Sequence, residues 1–283
     1  MPAGSVVIRV REIPAMTSMP LPTDMSAPGR WFHPLEADRD ASVLLFLLPH
    51  AGGGAAMFRD WLPLLPSDVA PRALTSPGRD ARLAEPPLRD WDALYGAVHD
   101  AIAGELDGRP YAVFGHCLGA HLAFRLAGRL VAEGRPAPVL LGVSGWAPRG
   151  FFRATLADSE MPEADLLAHV RRLGSFPEEI QRDPALLARV LPALRADLRV
   201  AATFTDDGAN VTCPLVSYGG DADPLMVEPD AMTHWADRTS HYLGHTWLPG
   251  GHFFPEEHAA EIAPHFVRML RAVRTSPTPQ PSA

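Results

Sequence analysis

The chain has 283 residues, 47% of them hydrophobic and 20% charged, which suits one large α/β domain with a substantial core. Its formal net charge is −8 and every basic residue is an arginine, so neither a basic face for nucleic acid nor a lysine base or Schiff-base former is expected. No apolar run reaches the roughly 18–20 residues of a membrane span. The start lacks a signal-peptide pattern, and the two cysteines, Cys117 and Cys213, make no disulfide framework. A soluble protein of the cytoplasm is expected, with no membrane association.

Residues 1–28 are proline-interrupted and read as a flexible N-terminal extension that could add an edge strand, while the Pro/Ser/Thr-rich residues 275–283 read as a disordered tail. Between them, apolar runs alternate with helical patterns, the signature of βαβ units in a mostly parallel sheet. Ser42 to Leu48 reads as a strand buried on both faces and runs into the loop Pro49-His50-Ala51-Gly52-Gly53-Gly54. A short helix is expected from Phe58 to Leu65, a strand from Arg72 to Thr75 and a helix from Trp91 to Leu106. Tyr111 to Phe114 is a strand, followed by a helix to about Glu133 and a strand from Val139 to Ser144.

Residues 151–211 carry helical patterns without an intervening strand: Leu166, Leu167, Val170 and Leu173 share one face, and Leu186, Leu187, Val190, Leu191, Leu194 and Leu198 another. This reads as a helical lid inserted into a core made of residues 29–150 and 212–274. The sheet resumes at Leu215-Val216-Ser217-Tyr218, a helix begins near Met232, a last strand spans His245 to Leu248, and a helix from Glu256 to Val273 closes the domain.

The chemistry centres on Gly115-His116-Cys117-Leu118-Gly119, a Gly-x-nucleophile-x-Gly elbow between strand and helix. A side chain at either glycine would collide with its neighbours in so sharp a turn. The central residue is cysteine. A helix N-terminus and a nearby imidazole would both favour its thiolate. In the chain order nucleophile, acid, histidine, the acid is Asp223 in Gly219-Gly220-Asp221-Ala222-Asp223-Pro224, with Asp221 as fallback. The base is His252 in Pro249-Gly250-Gly251-His252-Phe253-Phe254. Oxyanion donors are expected from the backbone N–H groups of Leu118 and Ala51. His50 and His116 read as supports for loop geometry, Phe253 and Phe254 as packing residues, and Cys213 as an inert buried thiol. Cys117, His116 and His121 lack the accompanying spacing of a metal site, so neither a metal nor a cofactor is expected.

Together these motifs resemble the stand-alone type II thioesterases of polyketide and nonribosomal peptide pathways. The resemblance covers roughly residues 31–270, from Trp31-Phe32 and Pro49-His50-Ala51-Gly52-Gly53 through Pro77-Gly78-Arg79 and the elbow. It continues in Leu173-Gly174-Ser175-Phe176-Pro177, Leu191-Pro192-Ala193-Leu194-Arg195-Ala196-Asp197 and the acid and histidine loops. It implies an α/β-hydrolase fold with a helical lid, acting as a monomer on acyl groups held as thioesters on the phosphopantetheine arm of an acyl or peptidyl carrier protein. The family's nucleophile, acid and histidine fall on Cys117, Asp223 and His252. Cysteine replaces the usual serine, so the acyl-enzyme would be a thioester. Hydrolysis therefore competes with a second reading, an acyltransferase or cyclase that passes the acyl group to another carrier, an amine or a hydroxyl. A non-catalytic carrier-binding protein is a third.

Overall fold

The computed structural model describes residues 31–174 and 182–275. The extension at 1–28, the residues Ser175, Phe176 and Pro177, and the tail beyond Thr275 lie outside these described residues.

A seven-stranded sheet organises the molecule: β1 (Phe32–His33), β2 (Val43–Leu48), β3 (Val69–Leu74), β4 (Tyr111–His116), β5 (Leu140–Ser144), β6 (Leu215–Gly220) and β7 (Tyr242–Leu248). Their spatial order is β1-β3-β2-β4-β5-β6-β7, with β1 antiparallel to β3 and every other pair parallel. β2, β4, β5 and β6 are buried at every residue, as strands covered on both faces must be, and this explains their unbroken apolar runs. This is an α/β-hydrolase fold.

The helices α1 (Trp91–Glu105) and α2 (Leu118–Ala132) contribute to the core on one face, with Leu94, Val98, Leu122 and Phe124 among the buried residues. Asp90 caps α1 by accepting from the Ala93 N–H at 3.1 Å. The opposite core holds Trp61, Phe114, Ile262 and Phe266. Between β5 and β6 come α3 (Leu156–Glu160), α4 (Glu163–Leu173) and α5 (Pro184–Thr203). Asp183 caps α5 through the N–H groups of Ala185 and Leu186, and Pro184 occupies the first turn, where a missing N–H is harmless. Leu166 and Val170 of α4 meet Leu187, Leu191 and Leu194 of α5 in a small separate core that Phe253 joins. The chain closes with α6 (Phe254–Glu257) and α7 (Ala259–Thr275).

Several expected boundaries shift. The helix anticipated over Phe58 to Leu65 is two 3₁₀ turns, Ala55–Phe58 and Leu62–Leu64. Pro63 lacks the N–H that would continue a longer helix. The segment after Asp230 is likewise a 3₁₀ helix, Ala231–Arg238. The closing helix is two pieces, and Thr275, expected in the tail, is its last helical residue. The stretch between β5 and β6 also carries isolated bridges at its edges, Phe151 to Met226 and Val211 to Thr239.

Candidate active site

β4 delivers its last residue, His116, directly into the elbow. Cys117 follows at φ 54°, ψ −115° and is the N-cap of α2. A non-glycine residue at positive φ is strained and needs its surroundings to hold it. Here the surroundings are backbone: a Cβ on Gly115 would lie 2.1 Å from the Gly119 carbonyl oxygen, and one on Gly119 would lie 2.1 Å from that of Leu48. Glycine at both positions lets β2, β4 and α2 converge at the turn. The Cys117 N–H donates to the Ser144 carbonyl at 2.8 Å, which fixes the turn against β5.

Asp223 and His252 come from the loops that follow β6 and β7. The imidazole Nδ1 of His252 lies 2.8 Å from Asp223 Oδ2, and both side chains are buried. Asp223 Oδ1 accepts from the Leu225 N–H at 2.9 Å, which orients the carboxylate. The His252 N–H donates to the Leu173 carbonyl at 2.7 Å, so the end of α4 holds the histidine loop from the other side. Burial alone would depress the His252 pKa. The negative charge of the Cys117 sulfur, then the bond to Asp223 and its charge, outweigh it and raise the pKa to about 10. His252 Nε2 is buried and has no hydrogen-bond partner among the described residues.

Asp221, the fallback acid, is exposed and accepts from the Gly250 N–H at 3.0 Å. It braces the histidine loop and does not reach the imidazole. His116 is fully buried on β4, 3.0 Å from Ser144 Oγ through Nδ1, with its ring centroid 4.9 Å from that of His252. Burial first, then the neighbouring His252 and His50, hold its pKa well below the ordinary value. A neutral His116 behind a protonated His252 avoids two adjacent positive charges. Cys213 is buried and its thiol is pushed up to about 12 by that burial.

Ala51, Cys117, Leu118 and His252 all line a cavity of about 550 Å³. Trp146, Phe151, Phe204 and Leu198 give it largely apolar walls, and α5 contributes one side. The first N–H groups of a helix lack partners within that helix, which suits Leu118 at the start of α2 to receive negative charge.

A pair that chain order alone leaves without a role secures the Ala51 loop. Arg79 donates to both carboxylate oxygens of Asp197 at 2.6 and 2.9 Å and to the Gly53 carbonyl at 2.7 Å. Asp197 Oδ2 also accepts from the Gly52 N–H at 2.7 Å. Both side chains are almost fully enclosed, 8% and 3% exposed. Burial disfavours the Arg79 charge, but Asp197 overrides it and holds the guanidinium above its ordinary pKa. Asp197 lies on α5, so this clamp ties α5 to the loop carrying Ala51. The sequence signal was present in Pro77-Gly78-Arg79 and Leu194-Arg195-Ala196-Asp197. Nothing in their spacing says that they meet.

No helix among the described residues is long and apolar enough to cross a membrane. Thioesterase PikA5 of Streptomyces venezuelae is 34% identical over 266 residues, spanning 93% of this chain and 92% of its own length. Gramicidin S biosynthesis protein GrsT of Aneurinibacillus migulanus is 29% identical over 252 residues, covering 89% and 98%. Among solved structures, the type II thioesterase BorB from the borrelidin biosynthetic cluster is 32% identical with a TM-score of 0.74, over 85% of this chain and 98% of that one. The family model described as Thioesterase domain matches residues 44–272, and the chain belongs to that family.

Proposed function

We propose that this thioesterase acts on acyl groups carried on the phosphopantetheine of acyl or peptidyl carrier proteins in polyketide or nonribosomal peptide biosynthesis. The type II thioesterase resemblance and the relatives named for such pathways support this substrate class. In this reading Cys117 is the nucleophile, His252 the acid and base, and Asp223 its orienter. The N–H groups of Ala51 and Leu118 form the oxyanion hole, and residues 151–211 act as the lid. One observation carries it: Cys117, held at positive φ beneath the His252–Asp223 pair, opens onto an apolar cavity of about 550 Å³.

The Cys117 thiolate attacks the thioester carbonyl, and the resulting oxyanion sits against the two N–H groups. Collapse of that intermediate breaks the bond to the pantetheine sulfur, which takes a proton from His252 and leaves as a thiol. His252, now neutral, removes a proton from water as the water attacks the acyl-cysteine carbonyl. The second collapse releases the acid and returns the thiolate–imidazolium pair. The enzyme works in this reading as a monomer in the reducing cytosol, which accords with Cys117 and Cys213 both being free thiols.

The sulfur itself favours a second reading, in which the protein passes its acyl group onward as an acyltransferase or cyclase. Exchange from a carrier thiol to Cys117 replaces one thioester by another and is close to neutral, so the acyl group stays activated. Intact-mass analysis of a loaded carrier protein with this enzyme tests both. Free acid formed with turnover supports hydrolysis, and an acyl-Cys117 adduct that persists until a second carrier or an amine is added sinks it. Neither adduct nor release would leave only carrier binding. Cys117→Ser is expected to shift the products toward free acid.

A further inference from the structure

The cavity-lining residues of two helices run out at the same place. Among the described residues, α2 lines the cavity with Leu118 and, one turn beyond Cys117, His121, and with no later residue. On α5 the lining runs through Val190, Leu194, Leu198, Ala201 and Ala202 to Phe204, the C-cap residue. His121 and Phe204 meet there, stacked at 4.5 Å and 23°. Trp146, just after β5, completes a wall of three rings, edge-on to His121 at 4.0 Å and to Phe204 at 5.6 Å.

A second row of rings backs this wall. Trp91 of α1 lies 4.6 Å from Phe204. Trp235 lies 5.1 Å from Trp146 and donates its indole N–H to the Trp146 carbonyl at 3.0 Å. Both are buried and neither lines the cavity. Rings packed this closely make room for extra methylenes only by displacing their neighbours, which is unfavourable. The exposed residues of the lining, Ala56, Arg59, Asp80, Phe152, Arg153 and Glu256, all belong to other segments. A pantetheine arm stays joined to a carrier outside the protein, so it passes an exposed edge. The acyl group, on the far side of the thioester, is the part that ends against the rings.

The two helices measure the room available. Cys117 to His121 rises about 6 Å along α2, and Leu194, which lies against Gly52, to Ala202 rises about 12 Å along α5. An extended alkyl chain advances roughly 1.25 Å per carbon, so about five to nine carbons span that room. We propose that Phe204 is a specificity-determining stop, which with His121 and Trp146 ends the acyl site and selects short and medium acyl chains over long ones. This rests on the cavity being the acyl site of the proposed reaction.

The test compares hexanoyl-pantetheine with dodecanoyl-pantetheine on the full chain, each below its critical micelle concentration. Acylation of Cys117 in the wild type is expected to have a kcat/KM about tenfold higher for the hexanoyl thioester, since a few methylenes too many must be forced against the wall. Phe204→Ala should erase that preference by raising the dodecanoyl value about tenfold, with the hexanoyl value held within about threefold. Phe204→Leu removes less of the wall and should shift the ratio part of the way, so it carries the comparison if thermal melts show Phe204→Ala unfolded. A wild type that accepts both chains equally or favours the longer one overturns the inference. A ratio unchanged in the folded Phe204 variants does the same, and leaves Phe204 as a packing residue. If neither thioester acylates Cys117, the catalytic reading fails separately. Calorimetric titration of both thioesters into Cys117→Ala then decides: about tenfold tighter binding of the hexanoyl compound supports the stop, and equal, reversed or absent binding overturns it.

Discussion

Removing the Asp197 carboxylate should damage this enzyme in two separable ways. Asp197→Ala leaves the Arg79 guanidinium, only 8% exposed, without its charge partner. It also removes the acceptor of the Gly52 N–H. Breaking one side of a buried pair costs about 3–5 kcal/mol, which lowers Tm by on the order of 10 °C in a domain of this size. Neutralising both members recovers most of that loss, because well-packed apolar substitutes often equal a buried pair in stability. Arg79→Met with Asp197→Leu should therefore fold with a near wild-type Tm. Its Gly52 N–H remains unheld, and Gly52 adjoins Ala51. Turnover of an acyl-pantetheine thioester should still fall about tenfold to a hundredfold, as expected when a reacting geometry loosens by an ångström or less. Arg79→Met with Asp197→Asn is equally neutral but keeps an oxygen facing Gly52, and should retain most of the activity. Thermal melts and kcat/KM for the two double variants settle the matter. Equal activities at equal stability would refute the claim that the carboxylate positions the proposed oxyanion donor of this loop.

Two glycines of the same helix should respond oppositely to alanine. Gly119→Ala places a Cβ 2.1 Å from the Leu48 carbonyl oxygen and should cost several kcal/mol, whereas Gly128→Ala meets nothing within 4 Å and should gain about 0.5–1 kcal/mol; thermal melts that rank them equally would be incompatible with the close approach at the elbow. Iodoacetamide should add one carbamidomethyl group to the native protein, on Cys117, because Cys213 is buried with its thiol pushed up to about 12; peptide mapping that finds Cys213 labelled without unfolding would contradict this. His121, held near pKa 3 in the fold against an ordinary 6.5, binds a proton on unfolding between those values, so stability should fall as pH drops through that window. The fall in Tm from pH 6.5 to 4 should be shallower in His121→Phe, with the remainder including His116, whose pKa is also depressed; an unchanged slope would count against a buried neutral imidazole at 121.

How far the sequence reaches depends on the distance over which each feature is encoded. The elbow is legible because its constraints are local: Gly115 and Gly119 flank the strained residue, and a strand and a helix adjoin it in the chain. Asp223 and His252 lie more than a hundred residues further on, yet remain legible because the order of strands in a parallel sheet brings the ends of β4, β6 and β7 to one edge. Choosing Asp223 over Asp221 needs more than order, since both lie in one Gly/Asp/Pro loop. The structure separates them by burial: Asp223 is enclosed against His252, while Asp221 faces solvent and holds Gly250.

The Arg79–Asp197 clamp and the setting of His121 are encoded differently, in the packing of α5 and the residues after it against loops far away in sequence. Helical periodicity reveals the apolar stripe of α5 and says nothing about where its polar residues end up. Asp197 sits only three residues beyond Leu194, which packs into the small core with α4, and the same turn presents it to Arg79 and Gly52. A carboxylate so nearly buried is tolerable only with a cation and an N–H supplied from elsewhere. That requirement links α5 to the loop of Gly52 and Gly53 more tightly than apolar contact would, since a shift of α5 that separates the pair exposes two charges to a poorly solvating interior. Apolar surfaces can slide with little change in energy, but this bidentate pair has one favourable geometry. The position of α5 and that of the Gly52–Gly53 backbone are thereby coupled, so in the proposed reading α5 bears on the N–H of Ala51 as well as forming a wall of the cavity.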